Sequence, residues 1–284
     1  MRLFKKVDGL QRHLGAVRAK GGLIGFAPTM GALHQGHLSL IESSRNENKT
    51  TVCSIFVNPA QFNDPKDFEK YPVTIDQDIL MLESAGCDVL FLPPVSEIYP
   101  GRATGKEYYD LGYLEKILEG KYRPGHFQGV CKVMHRLLDI VKPDNLYLGQ
   151  KDYQQCMVIT KLIELIDQRS AITVNICPTL RELDGLAMSS RNMRLNSGDR
   201  IKATAIYQSL NYIKQNLQTG KLKSLKTKAV VKLDEQGFKT DYIEIADAAT
   251  LQLVTEWDGK QKLVALAAAF LNEVRLIDNL LLNK

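Results

Sequence analysis

The chain has 284 residues, 44% hydrophobic and 24% charged, a balance that argues against a disordered polymer and suits a globular protein large enough for about two domains. The formal net charge of +5 is spread along the chain instead of gathered in one block, so an anionic small molecule accounts for it as well as nucleic acid would. Lys5, Lys6, Asp8, Arg12 and His13 interrupt any secretory apolar segment, and the longest apolar run, 263–271, is under half of the roughly 20 residues a bilayer-spanning helix needs, so a cytoplasmic location without a membrane partner is expected.

From Gly22 to Cys177, short runs rich in β-branched residues alternate with longer segments of helical period. Strands are predicted at 23–27, 51–57, 88–92, 145–148 and 172–177, with helices at 38–46, 74–85, 127–141 and 153–167. The pattern is that of an α/β protein with a Rossmann-like open parallel sheet and flanking helices, which binds ligands beyond the carboxyl ends of its strands. After Pro178 the grammar changes: a turn-rich stretch leads to a helix capped by Asn196 or Ser197, with Ile201, Ile206, Leu210, Ile213 and Leu217 on one face. A second helix at 221–237 and strands at 242–246, 263–270 and 274–281 complete a smaller α+β domain, giving boundaries of 1–178 and 179–284. Cys53, Cys87, Cys131, Cys156 and Cys177 stand singly among apolar neighbours and read as small buried hydrophobes, not as a zinc or disulfide framework.

The first predicted strand runs into Pro28-Thr29-Met30-Gly31-Ala32-Leu33-His34-Gln35-Gly36-His37, with a helix expected from about Gly36, so two imidazoles fall at a helix amino terminus. Free backbone N–H groups and a partial positive charge suit that place to phosphate, and the glycines let the backbone approach an anion. A Walker-type loop shares the glycine spacing but fails, because His37 takes its lysine position and Leu38 its hydroxyl position. A zinc site at His34 and His37 lacks further ligands in any local motif. Lone histidines are usually structural. A strand, a glycine turn, two histidines and a helix start occurring together instead resemble the H-x-G-H element of adenylate-forming and nucleotidyl-transferring enzymes, in which imidazoles donate to phosphate oxygens as charge builds.

Residues 54–62 (SIFVNPAQF), Tyr71-Pro72, Arg123-Pro124-Gly125-His126-Phe127, residues 148–155 (LGQKDYQQ), 184–192 (DGLAMSSRN) and 275–279 (RLIDN) resemble the motifs of the pantothenate synthetase family, in order and over nearly the whole chain. The resemblance implies an AMP-forming ligase. Pantoate and ATP would form a pantoyl adenylate with loss of pyrophosphate, and β-alanine would then displace AMP, with no covalent enzyme intermediate. By the same resemblance, 1–178 is the ATP- and pantoate-binding domain and 179–284 a lid, and a homodimer forms through the first domain.

Carried over by position, Met30, Gly31, Ala32, Leu33, His34, Gln35, Gly36 and His37 meet ATP, together with Gly149, Gln150, Lys151, Asp152, Leu180, Met188, Ser189, Ser190 and Arg191. The catalytic set is His34, His37, Lys151, Ser189, Ser190 and Arg191, with His37 matching the family's proton donor and 188–191 resembling the mobile phosphate loop of class I aminoacyl-tRNA synthetases. Gln61 and Gln155 match the amides that hold pantoate, Asn58 supports them, Pro28, Thr29 and Met30 join the substrate-binding set with Met30 beside the reacting groups, and Val130, Val133 and Met134 fit either the acid pocket or the core. Magnesium is expected with ATP, and Asp78, beside Gln77, aligns with the family's metal ligand. Ala60 replaces a usual methionine and Val73 a frequent arginine, which bears on packing and surface charge. A related adenylyltransferase or synthetase shares the H-x-G-H element, but no large anticodon-binding or editing region is present. An RNA-binding module would use the basic surface without the two glutamines, so no nucleic-acid partner is expected.

Overall fold

The computed structural model describes residues 1–63, 65–102, 107–168 and 171–283. The chain forms two compact units, Met1–Gln150 with Gln154–Pro178, and Lys151–Tyr153 with Thr179–Lys284.

In the first unit, β1 (Arg2–Phe4) leads into α1 (Val7–Arg18), and β2 (Ile24–Thr29), α2 (Gln35–Glu47) and β3 (Thr50–Ile55) make a crossover. There follow α3 (Pro65–Glu69), α4 (Ile75–Ser84), β4 (Val89–Phe91), α5 (Val95–Ile98), α6 (Leu118–Tyr122), α7 (His126–Val141), β5 (Asn145–Gly149), α8 (Tyr153–Leu165) and β6 (Thr173–Cys177). The six strands form one parallel sheet in the order β1-β4-β3-β2-β5-β6. Alternate residues serve opposite faces. Phe26, Val52, Phe91 and Leu146 pack with Leu10, Phe127 and Ile159 on one side, while Ala27, Cys53, Leu90 and Tyr147 pack with Leu40, Ile41 and Leu82 on the other. Burial of both faces is why these strands read as continuous apolar runs instead of alternating ones.

The sheet order reverses at β2, with β3 and β4 on one side and β5 and β6 on the other, so the switch point lies between β2 and β5. These strands pair only at Gly25↔Asn145 and Phe26↔Leu146, although β2 continues to Thr29 and β5 to Gly149. Pro28 has no N–H to offer a ladder, so the pairing stops before it and the two carboxyl ends are left apart.

The second unit contains α9 (Ser197–Lys202), α10 (Ala205–Gln215), β7 (Gly220–Lys221), α11 (Lys223–Asp234), β8 (Phe238–Asp247), β9 (Glu256–Trp257), β10 (Leu263–Leu271) and β11 (Val274–Leu281). β11, β10 and β8 form an antiparallel sheet in that order, and β7 pairs with β9. Ala265, Ala267 and Ala269 of β10 pack with Leu210, Ile213, Ala229 and Leu233 of α10 and α11. The single helix expected after Asn196 is two helices, and Ile201, expected on its buried face, is 74% exposed. Between the two helices Ala203 and Thr204 keep helical backbone angles, but the ladder tightens to an Ile206 N–H to Ala203 carbonyl bond of 3.3 Å, and the Thr204 hydroxyl donates to the Ile201 carbonyl at 2.9 Å. The Asn196 cap is as expected, its Oδ1 accepting from the Asp199 N–H at 2.8 Å.

Among the described residues no helix is long and apolar enough to cross a membrane. All five cysteines are buried free thiols, and burial pushes Cys87 up to about 11 and Cys131 up to about 12.

Candidate active site

At the end of β2 the chain turns through Gly31 (φ 80°) and Ala32 (φ 48°), and the first of these left-handed positions is one that glycine fills without strain. Asp78 of α4, 1% exposed, fixes the turn: one carboxylate oxygen accepts from the Ala32 N–H at 2.9 Å, and the other from the Leu33 N–H at 2.8 Å and the Thr74 hydroxyl at 3.1 Å. The Thr29 hydroxyl donates to the Ser54 carbonyl at 2.8 Å and accepts from the Gly31 N–H at 3.2 Å, tying the turn to β3. The loop is thereby held in shape before any ligand arrives.

His34 is the cap residue of α2, with extended backbone and no side-chain cap, and its carbonyl accepts from the N–H groups of His37 at 2.8 Å and Leu38 at 3.2 Å. The His34 and His37 rings lie 4.0 Å apart between centroids at 30°. The first turn of α2 contains no acidic residue, so two half-buried imidazoles and the positive end of the helix act together on an anion placed there.

Beside this loop, Met30 and Gln61 meet: the Gln61 amide nitrogen is 2.8 Å from the Met30 sulfur. Asn58, 1% exposed, donates through Nδ2 to the Gln61 side-chain oxygen at 3.3 Å and to the Gly129 carbonyl at 3.1 Å. The Asn58 Oδ1 accepts from the Ala60 N–H at 3.2 Å and from the Tyr99 hydroxyl at 2.9 Å. Burial raises Tyr99 to about 12, so it remains a phenol donor at neutral pH. Gly129 allows α7 to reach this turn, since a Cβ there would lie 2.1 Å from the Ala60 carbonyl oxygen and 2.7 Å from the Gln61 Cα.

Pro28, Thr29, Met30, residues 31–37, Asn58 and Gln61 thus come together in one unit, at the switch-point end of β2. Gly149 ends the neighbouring β5 and Gln150 follows it. Gln155 is half-buried in the first turn of α8, whereas Gln154 next to it is 3% exposed and committed to structure, accepting from the Glu119 N–H at 2.9 Å and donating to the Leu114 carbonyl at 2.8 Å. Val130, Val133 and Met134 belong to the hydrophobic core beneath α7. Ala60 and Val73, the two departures, are both exposed.

Asp78, expected as a metal ligand, has both oxygens engaged within the loop, by the N–H groups of Ala32 and Leu33. Its carboxylate serves the loop.

In the second unit, the Lys151 carbonyl accepts from Asn279 Nδ2 at 2.8 Å, and Lys151 Nζ is 3.9 Å from the Asp152 carboxylate. Ser189 caps the short turn Ser190–Arg194, its hydroxyl accepting from the Arg191 N–H at 3.3 Å, and Ser190 is buried. Leu180 exposes its side chain, while its carbonyl accepts from the Met188 N–H at 3.1 Å. Beneath this segment Arg181 grips Asp278 through two bonds of 2.7 and 2.9 Å and also donates to the Asn279 carbonyl at 3.0 Å. Burial pushes the Asp278 carboxyl upward and Arg181 opposes that shift.

Tyr99 and Gly129 had no assigned role in the sequence reading, and His126 appeared only within a motif. A glycine inside the otherwise regular helical run 127–141 was the available signal, because such a residue is tolerated where something packs close.

A parallel sheet whose switch point bears a histidine pair at a helix amino terminus defines an enzyme that handles nucleotide phosphates. The family model described as pantoate-beta-alanine ligase matches residues 2–281. A pantothenate synthetase of Cytophaga hutchinsonii is 43% identical over 279 residues, 97% of each chain, and one of Bacteroides thetaiotaomicron is 42% identical over 282 residues, 99% and 98% of the two chains. Among solved structures, a pantothenate synthetase from Thermus thermophilus superposes over all of both chains with a TM-score of 0.85 at 36% identity. The pantoate-beta-alanine ligase from Francisella tularensis, complexed with beta-gamma ATP and β-alanine, gives 0.82 at 38% identity, covering 99% and 97%. The chain belongs to the pantoate–β-alanine ligase family.

Proposed function

We propose that this chain condenses pantoate with β-alanine at the expense of ATP through a pantoyl adenylate, and that the loop between β2 and α2 and the Asn58–Gln61 turn carry the first half-reaction. The observation that supports this most is the pairing, within one unit, of a phosphate-type site at His34 and His37 with a neutral amide site at Gln61. A pantoate carboxylate oxygen attacks the α-phosphorus and pyrophosphate leaves. The β-alanine amine then attacks the acyl carbon, the acyl C–O bond breaks, and AMP carries that oxygen away.

Each group suits its step. The imidazoles of His34 and His37 donate to phosphate oxygens where charge accumulates. Gln61 and Gln155 orient the acid without a fixed positive charge that would blunt its carboxylate as a nucleophile. In the second unit, Lys151 and Arg191 supply cations, and Ser189 and Ser190 hydroxyls, suited to phosphate oxygens. Magnesium is expected with ATP, whose phosphates supply most of its ligands, and Asp78 is not counted among them. A homodimer and a cytoplasmic location belong to the same reading, and sedimentation equilibrium checks the first. The test of the reaction is ATP–pyrophosphate exchange, expected to require pantoate and not β-alanine. Exchange supported by another acid, or dependent on the amine, would redirect the assignment.

A further inference from the structure

His126 opens α7, is 6% exposed and takes no part in the steps above. Its Nδ1 lies 2.7 Å from the backbone carbonyl oxygen of Gln61, and its Nε2 lies 3.0 Å from Nη1 of Arg123. A carbonyl oxygen can only accept and a guanidinium can only donate. Nδ1 therefore carries the proton and Nε2 the lone pair, which fixes a neutral imidazole in a single tautomer. Arg123 is held in turn by Glu119, 7% exposed, at 3.5 Å, and its Nε donates to the Asn63 side-chain oxygen at 3.3 Å. The chain of contacts from Glu119 through Arg123 and His126 thus ends on the main chain of residue 61 and flanks it again at residue 63. Three residues further along α7, Gly129 lies against the same turn.

We propose that His126 is a positioning residue for the acid substrate, clamping the Gln61 backbone so that its side-chain amide is aimed at pantoate. The inference rests on the pantoate role proposed for Gln61. The histidine side chain itself touches neither reactant, so its removal should loosen acid binding and leave the nucleotide loop as it is.

The experiment measures KM for pantoate and for ATP separately in the wild type, His126→Ala and His126→Asn. Losing one donor to a buried carbonyl is expected to raise the pantoate KM about tenfold in His126→Ala and to change the ATP KM by no more than about twofold. His126→Asn places an amide N–H near the position of Nδ1 and should bring the pantoate KM back to within about threefold of wild type. Both KM values rising together, neither rising, or no recovery in His126→Asn would overturn the proposal. Should His126→Ala fail to fold, His126→Asn and the side-chain nitrogen-15 spectrum of the wild-type protein decide it. An Nδ1–H neutral ring supports the clamp, and an Nε2–H ring or an imidazolium at neutral pH rejects it. Absence of pantoate-dependent exchange in the wild type would instead sink the underlying reading of the reaction, while the tautomer still reports on the clamp.

Discussion

Two imidazoles 4.0 Å apart would repel if both were charged, so their juxtaposition at the positive end of α2 favours an anion between them and solvent. Removing one such donor from a preorganised site usually lowers turnover by about 10²–10³. His37→Ala is expected to show that loss in steady-state turnover with its thermal midpoint little changed, and unchanged turnover would take His37 out of the mechanism. Asp78 separates a loop role from a metal role. Asp78→Asn keeps the shape but replaces one acceptor with a donor facing a backbone N–H, and is expected to cost about 1.5–3 kcal/mol in urea unfolding, measured without nucleotide or metal. A metal ligand would instead leave apo stability intact and raise the magnesium requirement.

The elements carry the geometry that single residues exploit. α7 crosses the Asn58–Gln61 turn so closely that only a hydrogen fits at Gly129, whereas Gly15 in the middle of α1 has nothing within 4 Å of the place a Cβ would take. The same substitution should therefore have opposite signs at the two helices. Gly15→Ala is expected to stabilise by about 0.5–1 kcal/mol through helix propensity. Gly129→Ala forces a carbon against the Ala60 carbonyl, and is expected to destabilise by about 1–3 kcal/mol and to weaken pantoate binding as the turn is displaced. Equilibrium urea unfolding of the pair, with pantoate KM for the second, checks both signs. A stabilised Gly129→Ala would mean that α7 does not hold this turn.

At the scale of the molecule, the sheet was legible because its strands from Ile24 to Cys177 are short apolar or β-branched runs separated by helical segments, β6 included although only Cys177 of it is buried and no helix follows it directly. The first strand, Arg2–Phe4, escaped because three largely exposed residues on a sheet edge make no apolar run; the helix Val7–Arg18 is amphipathic, with Leu10 and Leu14 buried, and its period was there to be read. The site was legible as ordered motifs, and the structure gathers Met30, His34, His37, Asn58 and Gln61 in one unit. What the sequence could not express was direction: where the Asp78 carboxylate points, which proton His126 keeps, and how near α7 runs to residue 60. The order of bond changes is likewise a property of the assembled molecule, and one tracer experiment resolves it. With oxygen-18 in the pantoate carboxylate, attack on the α-phosphorus followed by acyl C–O cleavage must deliver one labelled oxygen into AMP and none into pyrophosphate. Activation through the γ-phosphate would put the label in inorganic phosphate, and the adenylate route would then be excluded for this chain. The site favours AMP as the recipient, because the imidazole pair and the amide turn lie in one unit, and Met30, four residues before His34 in the same loop, is in contact with Gln61.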